Sequence, residues 1–221
     1  MYTNAHHLQN KEEELELCTQ WESSDIIGIT ETWWDSSHHC RIMMDGYRLF
    51  HEDRQGRKGG VTLNAKENLE CIEFSYSDCG SPIECLWIKI RGVISKWDLT
   101  VGICHQPPNQ NHKVNAAIFG LLKQDSGQQN LVLMGDFNYP DICWKNNTAA
   151  HMSSVKILEC IEDSFLIQML DMRNKNAALL DLLLTNQENL VCSILVSDSL
   201  GCSNHNILES GLLLSTLKVS P

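Results

Sequence analysis

The residues of this chain that could do chemistry are polar groups placed where short apolar runs stop. Leu131-Val132-Leu133-Met134 ends at Gly135 and delivers Asp136 and, two positions on, Asn138. Side chains alternate along extended chain, so residues i and i+2 share a side. A carboxylate and an amide would then stand together at the carboxyl end of a core strand, able to hold a hard metal ion or orient a water. Gly, Asp and Asn are also ordinary turn residues, so the block needs partners before it means anything. Ile26-Ile27-Gly28-Ile29 delivers Glu31 in the same way, Leu99 to Ile103 leads into Cys104-His105, and Asn4 ends a strand-like Met1 to Ala5. Asp181 interrupts the apolar run 178–185, and His205 follows Ser203-Asn204. Two carboxylates and an amide make a weak, oxygen-rich nest of the kind Mg²⁺ accepts while keeping most of its waters. A histidine beside it could neutralise a phosphate, and Asp136 could take a proton from an attacking water.

The elements that must position these groups alternate between helix and strand. Residues 10–22 read as a helix with Leu15, Cys18 and Trp21 on one side and Glu12, Glu13, Glu14 and Glu16 in water. The acids fall in the first turns, where the helix dipole favours them. Ile26–Ile29 follows as a buried strand. From Tyr47 to Ile103 the chain is a series of short strand-like pieces punctuated by Gly, Ser, Asp and Pro, the pattern of an antiparallel meander. Residues 113–124, with Val114, Ala117, Ile118 and Leu121, and 153–163, with Val155, Leu158 and Ile161, read as two further helices around the strand at 131–134. Residues 178–185 form a further apolar run interrupted by one acid, and 191–197 reads as a strand. An α/β class results, and without repeat, linker or low-complexity segment the whole of 1–221 reads as one domain.

Composition narrows the classes of function. A 221-residue chain that is 43% hydrophobic can bury a sizeable core. No run reaches the roughly 18 apolar residues that cross a bilayer, and the acidic N-terminus is not a secretory signal, so an intracellular protein without a membrane partner is expected. Lys+Arg 17 against Asp+Glu 28 gives −11, which argues against gripping nucleic acid by bulk charge. It leaves room for an enzyme that meets phosphate through a metal and a few local cations. Basic residues gather once, in Arg54-Gln55-Gly56-Arg57-Lys58-Gly59-Gly60, which reads as an exposed loop, either solvated or phosphate-contacting. The ten Cys contain no C-x-x-C and several sit in apolar runs, so reduced core residues are expected rather than disulfides or a zinc site. The His6-His7 and His38-His39 pairs read as surface residues.

Taken in order, Asn4, Ile29-Thr30-Glu31-Thr32-Trp33, Met134-Gly135-Asp136-Phe137-Asn138, Leu180-Asp181-Leu182 and Ser203-Asn204-His205 resemble the motif series of the endonuclease/exonuclease/phosphatase superfamily. Within it the chain is most similar to the endonuclease domain of LINE-type (non-LTR, chicken-repeat-like) retrotransposon polyproteins, over nearly its whole length. The resemblance implies a four-layered α/β sandwich, two packed mixed β-sheets flanked by helices, with the first strand truncated at Met1. It also implies Mg²⁺-dependent nicking of double-stranded DNA, with Mn²⁺ as a substitute, a nuclear location, and ancestry beside a reverse transcriptase domain in one polyprotein.

Carried over by position, Glu31 would bind the metal, supported by Asn4 and with Asn204 nearby. Asp136 would orient or deprotonate the water, and Asn138 would hold the scissile phosphate. His205 would contact the phosphate and steady the transition state, with Asp181 fixing its ring. His105 would stand where the family has Tyr, and Arg54, Arg57 and Lys58 would meet DNA phosphates. The family's Ser-Asp-His reads Ser203-Asn204-His205 here, which removes a negative charge beside the metal. Two Gly, Gly59-Gly60, replace the usual three, and Arg173-Asn174-Lys175 stands where Pro-Thr-Arg is usual. These departures imply an attenuated endonuclease or, as the alternative, an inactive relic or repurposed nucleic-acid- or protein-binding domain. A phosphatase of inositol phosphates or lipids would use the same core site.

Overall fold

The computed structural model describes residues 1–8, 11–34, 44–52, 59–75, 83–92, 98–108, 112–125, 128–170 and 179–213. Strand β1 (Tyr2–Asn4) leads into helix α1 (Glu12–Glu22), then β2 (Ile26–Thr30), β3 (Tyr47–Glu52), β4 (Val61–Lys66), β5 (Cys71–Phe74), β6 (Glu84–Ile90) and β7 (Leu99–His105). Helix α2 (His112–Asp125) precedes β8 (Leu131–Asp136) and the small strands β9 (Ile142–Cys143) and β10 (Thr148–Ala149). Helix α3 (Met152–Asp163), β11 (Ile167–Gln168), β12 (Asp181–Thr185), β13 (Val191–Ser199) and β14 (Asn206–Leu212) complete the order.

Two six-stranded sheets result, β13-β14-β1-β2-β4-β3 and β11-β12-β8-β7-β6-β5. Both are mixed: β1 with β2 and β7 with β8 run parallel, and the other pairs are antiparallel. The region read as one antiparallel meander is therefore divided. β3 and β4 pair beside β2, whereas β5 and β6 pair beside β7 in the other sheet. Local alternation is the same in both cases, so strand pattern alone does not show where the chain changes sheet.

Period-two alternation sorts the side chains into layers. On β8, Leu131 and Leu133 face α2 and α3, among Ile118, Leu122, Ile157 and Ile161, while Val132 and Met134 face the opposite sheet. β12 divides the same way, with Leu182 and Leu184 toward the helices and Leu183 between the sheets. On β2, Ile27 and Ile29 lie under α1 with Leu8, Leu15 and Leu200. Helix, sheet, sheet and helix thus form the four expected layers. A Cβ at Gly102 would run into the Trp87 ring, and one at Gly135 into the Cys104 carbonyl, so both glycines permit close approach inside the second sheet.

Helix α1 packs differently from its sequence reading. Leu15 is buried, but Trp21 is 85% exposed and Thr19 takes the inner position. At roughly 100° per residue, Thr19 lies about 40° from Leu15 around the axis, and Trp21 about 120° away on the other side. β1 has three residues, where its neighbours β2 and β14 have five and seven. Among the described residues the cysteines form no disulfide, and Cys71, Cys85, Cys104 and Cys160 are buried. Among those residues, too, no helix is long and apolar enough to cross a membrane.

Helix α3 is fastened at its start by Asp141. This carboxylate accepts from the Ala150 N–H (3.0 Å), the His151 N–H (2.7 Å) and the Ser154 hydroxyl (2.5 Å). Burial pushes the Asp141 carboxyl up, but these bonds outweigh it and hold it at about 2. Asp141→Ala is expected to cost about 1–2 kcal/mol, the usual worth of a helix N-terminal acceptor. Because the folded value lies below the unfolded one, this contribution is present above about pH 4 and fades as the pH falls toward 2. Urea denaturation of both proteins at pH 7 and pH 2.5 should show the gap at the first and its loss at the second.

Candidate active site

Strand parity also builds the site. Asp136 on β8, His105 on β7, Asp181 on β12 and Asn4 on β1 all continue the series of side chains that fills the space between the sheets. They sit at the end of that space where the parallel strands β1, β2, β7 and β8 terminate. In layered α/β folds this is where functional groups collect. Asp136 is 2% exposed and His105 4%. A separate cleft of about 410 Å³, lined by Met1, Ile26, Leu99, Val132, Glu209 and Leu212, opens at the opposite end and contains none of these groups.

Asn4 holds the two central acids together. Its Nδ2 donates to Glu31 Oε1 (3.0 Å) and to Asp136 Oδ2 (3.0 Å), while its Oδ1 accepts from the His6 N–H (2.9 Å). With both polar ends engaged, Asn4 orients the carboxylates. Glu31 lies just past β2 in the left-handed region (φ 54°), unusual for a residue of its type. That turn brings it within 3.2 Å of His6 Nδ1 and 3.5 Å of His105 Nε2. Burial pushes the Glu31 carboxyl up, but His105 and Asn4 outweigh it and hold it at about 2.

His105 bridges two acids. Its Nδ1 is 2.8 Å from Glu84 Oε2, which also accepts the Gly60 N–H (2.9 Å). Burial lowers the imidazole's pKa, but Glu31 and Glu84 more than restore it, to about 10. On the other flank His205 Nδ1 lies 2.6 Å from Asp181 Oδ2, and its Nε2 lies 3.9 Å from Asp136 Oδ2. Burial lowers the His205 pKa and Asp181 raises it further, leaving it above the ordinary histidine range. Burial and the neighbouring Asp181 push Asp136 up to about 6, against the pull of His205 and His105. A carboxylate with a pKa near neutrality is suited to accept a proton from water.

The arrangement corrects the simple strand-end picture of Asp136 and Asn138. Extended chain stops at Asp136, and Asn138 adopts φ 52°, so the two are not related by alternation. Instead the Asn138 N–H donates to Asp136 Oδ1 (3.1 Å) and its Nδ2 to the Gln106 carbonyl (2.8 Å). Asn204 is exposed, in the turn before β14. Arg54, Arg57 and Lys58 lie outside the described residues, as do His38, His39 and the Arg173-Asn174-Lys175 stretch.

Three neighbours were not picked out from sequence. Tyr2 OH donates to Asp181 Oδ1 (2.8 Å) and meets Thr30 Oγ1 (3.2 Å). His6, read as a surface residue, is half exposed yet faces Glu31. Glu84 had a usable signal: it shares the parity of Leu86, Ile88 and Ile90, as His105 shares that of Val101 and Ile103.

Ligand atoms of Glu31, His105 and Asp136 lie within 4.8 Å of one another, and the same holds for Asp136, Asp181 and His205. Two acids with convergent oxygens, plus a buried imidazole nitrogen that makes no hydrogen bond, suit a divalent cation. A family model described as endonuclease-reverse transcriptase matches residues 99–209, half of the chain. The chain belongs to that family. Its matched half carries His105, Asp136, Asn138, Asp181 and His205. Among solved structures the fold is similar to the endonuclease domain of TRAS1, a telomere-specific non-LTR retrotransposon (TM-score 0.74, 15% identity, 96% of this chain and 95% of that one). It is also similar to a 3′ phosphatase, NExo, from Neisseria bound to product DNA hairpin (TM-score 0.68, 14%, 96% and 98%). A third is the AP endonuclease LMAP from Leishmania major (TM-score 0.67, 11%, 94% and 85%). No curated protein sequence matches the chain. The fold is that of the endonuclease/exonuclease/phosphatase superfamily, and this family member is related to LINE endonucleases.

Proposed function

We propose that the chain is a divalent-metal-dependent DNA endonuclease domain of LINE-type retrotransposon descent, which nicks one strand of a double-stranded target in the nucleus and acts as one domain over residues 1–221. The observation that carries this reading is the meeting at Asp136 of two acid–histidine pairs, Glu31–His105 and Asp181–His205, at one end of the inter-sheet space. Mg²⁺ or Mn²⁺ held there would neutralise the scissile phosphate and polarise its bond to the leaving oxygen. Glu31 and Asp136 supply oxygens to the cation, and Asn4 keeps them in register. Asp136 takes the proton of the attacking water. His205, oriented by Asp181, donates from Nε2 to a phosphate oxygen, and Asn138 steadies the same group. Arg54, Arg57 and Lys58 would contact flanking phosphates, giving a salt-sensitive grip on a chain whose net charge is −11. Ancestrally a reverse transcriptase domain shared the polyprotein.

The test is conversion of supercoiled plasmid to the nicked circle with Mg²⁺ or Mn²⁺, compared with chelator. Absence of nicking at every concentration of either ion overturns the reading. Asn204 favours the second reading, a folded relic without catalysis or a repurposed binding domain. It is an exposed amide where the resemblance implies a carboxylate, and the site has one negative charge fewer. Asn204→Asp is expected to raise nicking by about tenfold or more, toward the 10²–10³ that a single oriented contact is worth. Initial nicking rates of the two proteins at equal Mg²⁺ check this.

A further inference from the structure

We infer that His105 is itself a ligand of the divalent cation, through Nε2, and that the site therefore favours a nitrogen-accepting ion such as Mn²⁺ or Co²⁺ over Mg²⁺. This rests on the metal site proposed above and adds a donor that an all-oxygen reading leaves out. The geometry around the ring leaves one role for each nitrogen. Nδ1 is committed to Glu84 Oε2 at 2.8 Å, and that carboxylate is in turn fixed by the Gly60 N–H at 2.9 Å. A Cβ at Gly59 would collide with the same carboxylate, so Gly59 makes room for it. Nε2 is buried, makes no hydrogen bond and faces Glu31 Oε1 across 3.5 Å, and a cation binding there displaces the proton that Glu31 and Glu84 hold on the ring in the metal-free protein. Histidines that bind metals typically give their other ring nitrogen to a carboxylate, which fixes ring and tautomer together. Glu84–His105 has that form.

The remaining donors fit the same point in space. Ligand atoms of Glu31, His105 and Asp136 lie within 4.8 Å of one another. Donors at about 2.1 Å from a common ion stand roughly 3–3.5 Å apart, so the three donors draw in from separations of at most 4.8 Å to close on it. Asn4 does not compete, since both ends of its amide are occupied. The resulting set is two carboxylate oxygens and one imidazole nitrogen. Mg²⁺ discriminates strongly for oxygen and sheds water reluctantly. Later first-row ions accept imidazole readily and bind a mixed site more tightly.

The test uses the full chain freed of metal by chelation and dialysis, then loaded with Mn²⁺ or Co²⁺. Calorimetry should give at least about tenfold tighter binding of either ion than of Mg²⁺. Electron spin-echo spectroscopy of the Mn²⁺ form should show modulation from a directly bound nitrogen. That signal should persist in His205→Gln and vanish in His105→Gln, with Co²⁺ affinity falling about tenfold or more in the latter. Glu84→Gln, which keeps an acceptor for Nδ1, should retain the nitrogen signal with weaker affinity, and it guards against a His105 variant that fails to fold. Bound Mn²⁺ without nitrogen modulation, or modulation that depends on His205 alone, overturns this inference and leaves the proposed function standing. Failure of every divalent ion to bind overturns both.

Discussion

Replacing Asp136 by Asn is expected to abolish nicking and, at the same time, to make the metal-free protein more stable. The loss of activity follows from the position of the side chain, which touches Asn4, faces His205 and belongs to both candidate ligand clusters. Removing a positioned general base alone typically costs 10²–10⁴ in rate, and this change also withdraws a metal ligand. A fall of at least about 10³ in nicking rate is the expected result. The gain in stability follows from the raised Asp136 pKa of about 6, caused by burial and by Asp181. A carboxyl whose folded pKa exceeds its unfolded value contributes fully below the unfolded value, near 4. That contribution is lost as pH rises through about 6. At pH 7.5 the charge is therefore a cost in the folded state, and Asn removes it, at the expense of one acceptor for Asn4. The net gain is about 1–2 kcal/mol. Thermal unfolding in chelator should show it at pH 7.5 and not at pH 4.5, where the native acid is already neutral.

His205→Ala is expected to lower nicking by about 10²–10³, the usual cost of one donor aimed at transition-state charge. The partner Asp181 acts through it, so Asp181→Asn should cost about 10–10². The two carry different pH signatures. Asp181 lifts the His205 pKa, so the cationic form persists to higher pH than in an ordinary histidine. Activity that depends on this cation falls as pH rises through that raised value. Asp181→Asn should move the alkaline limb of the pH–rate profile to lower pH. His205→Ala should remove the limb altogether. An unmoved limb in Asp181→Asn would show that another group sets it.

Much of this architecture was legible because apolar alternation reports which face of a strand is buried. Val132 and Met134 predict the side on which Asp136 emerges, and Leu183 does the same for Asp181. The same rule reaches Glu84, which became visible as a site residue only once β6 was seen to pair with β7 and set it opposite His105. Pairing partners are not a local property, and neither is the change of sheet between β4 and β5. Asn138 departs from the strand-end pattern for a related reason. Alternation holds only while the chain stays extended, and the left-handed residue after Phe137 ends it. Trp21 illustrates the limit of counting apolar residues on a helix: a large side chain at the flank of the stripe loses its place to Thr19, which sits closer to its centre. The motif series itself was readable in order, because each block ends a strand and strand ends meet in this fold.

The Ser203 hydroxyl donates to the Asn4 carbonyl at 2.7 Å, and Tyr2 reaches Asp181, so the first and last parts of the chain meet in the site. Contacts between residues this distant in sequence close late in folding, because a long loop must be ordered before they form. β1 is flanked by β2 on one side and by β14 on the other. During synthesis, then, no shorter length of this polypeptide carries the assembled site. Until β14 emerges, β1 lacks one neighbour, and until residue 205 is made Asp136 has no His205 opposite it. On the proposed function, a product broken off before residue 205 would lack the His205 donor and be inert toward DNA.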